Sequence, residues 1–278
     1  MMCNELDAII ADPAGNITVF IDTDTCKKEQ YADIAKKILA QPKLKAEQVG
    51  FIQHPHDLHG MWYLEMMGGE FCGNAARSFG LYAAMQQNIK GRQTINIGIS
   101  GASAPVAVEF DTDTNFAQVK MPLPVALCEV QFNEASLPVY FFEGIVHIIA
   151  QDIEPSKENF YRIKESAEHA ILLNNDSLPD ALGVMFHNNF AQDSSNQPFI
   201  QPAVYVYKTD SMVFESSCAS GSAAFAVYYF KEKQNGEYSI NLNAPGGAIE
   251  VSIKKTNGIA EQILIGGTVL FQKKRISL

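Results

Sequence analysis

This sequence has no C-x-x-C pair, no G-x-G-x-x-G turn and no G-x-x-x-x-G-K-[ST] loop. Dithiol redox chemistry and nucleotide cradles are therefore not indicated, and Gly68-Gly69, Gly246-Gly247 and Gly266-Gly267 are not phosphate loops. Basic residues are scarce. The 21 Lys and Arg against 31 Asp and Glu leave a net charge of −10, which argues against nucleic acid or an anionic membrane as partner. Long apolar runs are lacking too, since the longest, around residues 137–150, contains Glu143 and His147 and is too short to span a bilayer. The start, Met1 to Asp7, has neither a basic nor an apolar signal region and predicts no secretory leader. These absences predict a cytoplasmic protein. Cysteine is sparse and odd in number (3, 26, 72, 128 and 218), as expected of free thiols in a reducing compartment. The 278 residues, 47% hydrophobic and 19% charged, suit an ordinary globular chain of one large or two medium domains.

Along the chain, two strand pieces flank the turn Asp12-Pro13-Ala14-Gly15-Asn16. A helix follows, with Tyr31, Ile34, Ala35, Ile38 and Leu39 on one stripe. Residues 48–53 and 61–67 read as strands around a polar loop holding His54, His56 and His59. With Pro55 and Asp57 beside them, these histidines fit a solvated loop better than a metal site. Three strands in hairpin order cover 94–121, and Pro122-Leu123-Pro124 interrupts the pattern as a domain boundary. Strands near 126–132 and 139–150, a helix over 157–172, strands at 183–187 and 203–207, a helix to about 231, and strands at 238–242, 248–253 and 263–272 complete the reading. Hairpin connections dominate, so the sheets should be mostly antiparallel. The repeated arrangement predicts an α+β fold of two pseudo-symmetric domains, each a mostly antiparallel sheet or barrel around a central helix.

Two stretches carry the chemistry. Glu70-Phe71-Cys72-Gly73-Asn74-Ala75-Ala76-Arg77 sets a cysteine at a helix start, and Glu215-Ser216-Ser217-Cys218-Ala219-Ser220-Gly221-Ser222 repeats the setting. A helix start offers unpaired N–H groups and the positive end of the dipole, which favour a thiolate and bind a carboxylate. One such cysteine is ordinarily packing; two in matching settings point to a paired site. A thiol and a thiolate on either side of a bound amino acid can remove the α-proton from one face and return one on the other. Cys3, Cys26 and Cys128 lack this context and read as packing or surface residues.

These stretches, with Asn243-Ala244-Pro245-Gly246-Gly247 and the turn Pro13-Ala14-Gly15-Asn16, resemble the signatures of the diaminopimelate epimerase superfamily of PLP-independent racemases and epimerases. The likeness spans the whole chain in the right order. It implies that Cys72 and Cys218 are the two bases, assisted by His147 and Glu215. Asn16, Gln48, Asn74 and the N–H groups of Gly73, Ala219 and Ser220 would line the site. It further implies domains of 1–121 plus 266–278 and of 122–265, with no cofactor, no metal, a small amino acid as the partner, and a homodimer as a compatible assembly. Departures bear on substrate. Ser216 stands where diaminopimelate enzymes carry an Arg for the distal carboxylate, and Glu65, Ile145 and Ala181 stand where asparagines help it. Losing an Arg and gaining a Glu disfavours a distal carboxylate and admits a neutral or basic side chain. The set is similar to the histidine racemase branch known from opine-metallophore pathways, and histidine is the expected substrate. Diaminopimelate epimerisation with an altered site and a non-catalytic or isomerase-type relative remain as alternatives.

Overall fold

Two helices of this chain carry small side chains on nearly every face, and each becomes the buried centre of its own unit. The computed structural model describes residues 5–55, 60–174, 177–187 and 197–278. Cys3, His56, Asp57 and His59 lie outside them. The chain divides into two compact units, Met1–Lys120 with Gly266–Leu278, and Met121–Ile265.

The first unit runs β1 (Glu5–Asp12), β2 (Thr18–Asp22), α1 (Tyr31–Leu39), β3 (Gln48–Gln53), β4 (Tyr63–Met66), α2 (Gly73–Gln86), β5 (Arg92–Ile99), β6 (Val106–Asp111) and β7 (Phe116–Lys120). The second runs β8 (Val125–Phe132), β9 (Ala135–Phe142), β10 (Ile145–Gln151), α3 (Lys157–Asn174), β11 (Ala181–His187), β12 (Ile200–Val206), β13 (Ser211–Phe214), α4 (Ala219–Tyr229), β14 (Gly236–Ala244) and β15 (Gly247–Thr256). β16 (Ile259–Thr268) carries the chain back to the first unit, where β17 (Leu270–Ser277) pairs antiparallel with β1.

Strands of the first unit are ordered β7-β6-β5-β4-β3-β2-β1-β17. The pairs β2/β3 and β4/β5 are parallel; the others with a given register are antiparallel. In the second unit six strands follow the order β13-β12-β11-β10-β9-β8, parallel only at β10/β11, and β14, β15 and β16 are neighbours in a further run. The fold is thus α+β and mostly antiparallel, as the hairpin spacing predicts.

Two expected strands are each divided. Residues 139–150 reverse at Glu143-Gly144, where Gly144 has φ of +82°, so that β9 and β10 form a hairpin. Residues 263–272 break at Val269, whose N–H donates to Asn115 O at 2.9 Å. A continuous apolar run cannot show such a reversal, because both arms are buried and the turn takes only two residues.

α2 buries Gly73 through Leu81 together with Ala83 and Ala84. Its Gly80 lies so near β6 that a Cβ would stand 2.6 Å from Val108 Cβ. α4 is similar, with Ala219, Gly221, Ser222, Ala223, Ala224, Phe225 and Ala226 buried. A helix buried all round must be slim for strands to close upon it. By contrast α1 buries only Ile34, Ala35 and Ile38, as its single stripe requires. The C-terminal end of α4 is held by a buried cation. Lys255 Nζ donates to the carbonyls of Phe230, Lys231 and Lys233 at 2.9, 3.1 and 2.6 Å, satisfying groups that every helix end leaves open. No helix among the described residues is long and apolar enough to cross a membrane.

The approach to α2 depends on Gly101. It has φ of +74°, and a Cβ there would stand 2.2 Å from the backbone nitrogen of Phe71, the residue before Cys72. Gly101→Ala should therefore cost about 2 kcal/mol or more, from the left-handed backbone and the clash with the Glu70–Phe71 backbone. Thermal unfolding checks this, and an unchanged midpoint would contradict it.

Candidate active site

Cys72 and Cys218 occupy equivalent local positions. Each is the N-cap of its central helix, with φ, ψ of −124°, 116° and −135°, 116°. Each sulfur accepts from the N–H three residues on: Ala75 N at 3.5 Å for Cys72 and Gly221 N at 3.4 Å for Cys218. The thiols thus take the capping place usually held by a Ser or Asp oxygen, beside the first-turn N–H groups. Those groups include the N–H of Gly73 and Asn74 in one helix and of Ala219 and Ser220 in the other. The four cysteines among the described residues are free thiols.

Around Cys72 the first unit assembles a polar chain. Asn74 Nδ2 donates to Asn16 Oδ1 at 3.3 Å, and Asn16 Nδ2 donates to Glu47 Oε2 at 2.7 Å. Asn16 and Asn74 are almost fully buried. Gln48 follows Glu47 on β3 and lies beside Thr18, 3.5 Å from Oε1 to Oγ1. Four of the residues singled out by sequence (Asn16, Cys72, Gly73 and Asn74) are therefore gathered at the α2 start, with Gln48 on the adjoining strand. Glu65 is engaged elsewhere. It accepts from Lys28 Nζ at 2.7 Å and from Gln53 Nε2 at 2.9 Å.

Around Cys218 the second unit assembles a different set. His147, in the middle of β10, is fully buried, and its Nε2 lies 2.8 Å from Ser220 Oγ. That hydroxyl is 3.6 Å from Cys218 Sγ. Burial pushes the His147 imidazole down to about 3, so the ring is neutral. Its Nδ1 has no hydrogen-bond partner among the described residues. A bare lone pair there is better tolerated than an orphan N–H, which assigns the proton to Nε2 as donor to Ser220. The Ser220 hydroxyl is then left to donate to the sulfur. Space for the ring comes from Gly183 on the neighbouring strand, where a Cβ would stand 2.3 Å from Nδ1.

Cys218 itself is buried. Its thiol is driven well above the usual range, first by burial and then by the negative charge of Glu215. The N–H of Gly221 and the hydroxyl of Ser220 pull the other way. Glu215 is fixed through its backbone, its N–H donating to Pro202 O at 3.0 Å. Ser216 is tied to the third signature stretch, since Gly246 N donates to Ser216 O at 2.9 Å at the β14–β15 turn.

Two contributors escaped the sequence reading. Glu47 ends the Asn74–Asn16 chain, and Arg77, 0% exposed, donates from Nε to Asn74 Oδ1 at 3.3 Å. Only the charge of Arg77 in a helix otherwise buried on all sides hinted at the second. The loop histidine His54 contacts the Asp22 carboxylate at 2.9 Å, and Asp22, Asp24 and His54 gather ligand atoms within 4.8 Å of one another on a partly exposed rim.

The chain matches, over residues 5–273, the family model described as the histidine racemase CntK N-terminal domain. A histidine racemase of Fusobacterium nucleatum subsp. nucleatum is 35% identical over 254 residues, covering 90% of each chain. One from Staphylococcus aureus is 26% identical over 260 residues, covering 93% of this chain and 92% of that protein. Among solved structures, a hydroxyproline epimerase from Agrobacterium vitis with bound trans-4-hydroxy-L-proline aligns with a TM-score of 0.60 at 11% identity. That alignment covers 99% of this chain and 92% of the other, a likeness of fold.

Proposed function

This chain belongs to the histidine racemase family, and we propose on that footing that it interconverts L- and D-histidine, with Cys72 and Cys218 as the two bases. It is an amino-acid racemase of the racemase and epimerase class of isomerases. The observation that carries the mechanism is the matching pair of helix N-caps, each a cysteine with its sulfur on the i+3 N–H.

In this reading one thiolate takes the α-proton and the opposite thiol delivers another, so the configuration inverts without a cofactor. First-turn N–H groups of α2 and α4 bind the α-carboxylate and offset the charge that builds on the carbanion. Asn16, Asn74 and Gln48 complete the carboxylate and amine contacts. Burial and Glu215 hold Cys218 as the thiol at rest, and a scheme with one thiol and one thiolate then gives the thiolate role to Cys72. When Cys218 gives up its proton, the Ser220 hydroxyl, backed by neutral His147, donates to the new thiolate.

Substrate preference is read from Ser216. A hydroxyl in place of a guanidinium leaves a distal carboxylate without its counter-ion, whereas a neutral imidazole needs none. Free thiols fit a reducing cytoplasm as the location.

Incubation with L-histidine in D₂O should yield D-histidine bearing deuterium at Cα, followed by chiral chromatography and mass spectrometry. Faster turnover of LL-diaminopimelate would move the chain to the epimerase reading. No deuterium in any of a panel of amino acids would end the racemase reading altogether.

A further inference from the structure

The polar chain beneath Cys72 starts on a cation that the two-base scheme leaves unused. Arg77 lies one turn into α2 and is completely buried. Its guanidinium reaches three acceptors, all uncharged: Asn74 Oδ1 from Nε at 3.3 Å, Gly267 O from Nη1 at 2.9 Å and Pro13 O from Nη2 at 3.2 Å. Burying such a charge on neutral acceptors is costly, and an apolar side chain would fill the same volume in a helix core at less expense.

The contacts give the charge two uses. Arg77 occupies the amide oxygen of Asn74 and so turns its NH₂ toward Asn16, whose own NH₂ meets Glu47. Every donor in this row points from the guanidinium toward the carboxylate, and each bond polarises the next. At the same time the fork joins three segments, the α2 start, the Asp12–Asn16 turn and the returning strand at Gly267. The second use is electrostatic. Burial lowers the Arg77 guanidinium to about 10, opposed first by a negative charge on Cys72 and then by Asp12. The attraction is mutual, so the cation that gains from a Cys72 thiolate also favours that thiolate.

We propose that Arg77 is a positioning residue for the Cys72 half of the reaction: its fork sets Asn74 and Asn16, and its buried charge favours the Cys72 thiolate. The inference rests on Cys72 being a base, as proposed above.

The full chain carrying Cys218→Ser, treated with iodoacetamide from pH 5 to 10 and mapped by peptide mass spectrometry, reports the Cys72 thiolate without needing turnover. In that background Arg77→Gln should move the midpoint of Cys72 alkylation upward by about one pH unit. With Cys218 intact, the same change should lower kcat/KM for histidine about 100-fold. Arg77→Lys keeps the charge but offers one nitrogen in place of the three that separately reach Asn74, Gly267 and Pro13, so the midpoint should hold while KM rises about tenfold. A rivet that only stabilised the fold would lower the unfolding midpoint in both variants and leave the alkylation midpoint in place, and that result overturns the proposal. If Arg77→Gln does not fold, Arg77→Lys decides alone: a raised KM with the midpoint held supports the role, and an unchanged KM refutes it. Because alkylation is read without substrate, its failure is separate from a failure of the wild-type chain to racemise histidine.

Discussion

Cys72→Ser and Cys218→Ser will each slow histidine racemisation by about 10³-fold, while leaving the fold and each helix cap nearly intact. The size follows from acidity. A hydroxyl in place of the thiol still accepts the i+3 N–H that now reaches sulfur at 3.4–3.5 Å. It does not ionise near neutral pH, so it neither removes the α-proton nor gives one up readily. Inversion needs both groups, so loss of either leaves only that small residual rate. Exchange without inversion needs only one. Each variant should therefore still wash deuterium from D₂O slowly into one enantiomer of histidine, the opposite enantiomer in the two cases, as read by mass spectrometry after chiral separation. Both variants exchanging the same enantiomer would contradict one base per face. Full activity in either would remove that cysteine from the chemistry.

Acid should loosen the second unit through His147 by about 5 kcal/mol. The buried ring titrates near 3 rather than at the ordinary 6.5. Between those values the unfolded chain holds a proton that the folded chain refuses. The contribution is therefore complete above pH 6.5 and is lost progressively as the pH falls toward 3. His147→Gln keeps an amide N–H for Ser220 but has nothing to protonate. Hydrogen exchange of the β10 and β11 amides, corrected for the intrinsic pH dependence of exchange, should show opening become easier on acidification in the wild type and much less so in the variant. Carboxylates contribute equally to both, so the difference isolates the imidazole. Parallel curves would show that the ring carries no such penalty.

The helix starts were legible because they rest on local rules. A cysteine ahead of Gly-Asn-Ala or Ala-Ser-Gly, with small residues after it, predicts both an N-cap and a helix slim enough to be enclosed, and α2 and α4 begin at Gly73 and Ala219. Strand positions followed from apolar patterning to within a few residues. Pairing partners did not. The parallel pairs β2/β3, β4/β5 and β10/β11 depend on which segments meet after folding, and nothing in the periodicity of either strand specifies that. The same limit hid what the site residues touch. Asn16 and Glu47 are 31 positions apart, Asn16 and Asn74 are 58 apart, and His147 and Ser220 are 73 apart. Glu65 was singled out from its place in the family pattern, and its contacts with Lys28 and Gln53 were likewise not legible from the chain.

The pairing of β1 with β17 has a consequence for synthesis on the ribosome. The second unit is one continuous stretch, so it can close on α4 as soon as residue 265 has cleared the exit tunnel. The first unit must wait. Its sheet lacks β17 as the partner of β1, and Arg77 lacks the carbonyl of Gly267, until chain made after the whole second unit arrives. During that interval the first unit presents an unpaired β1 edge to other chains, a standing invitation to mispair. The Cys218 half is thus ready early, and the Cys72 half is completed last.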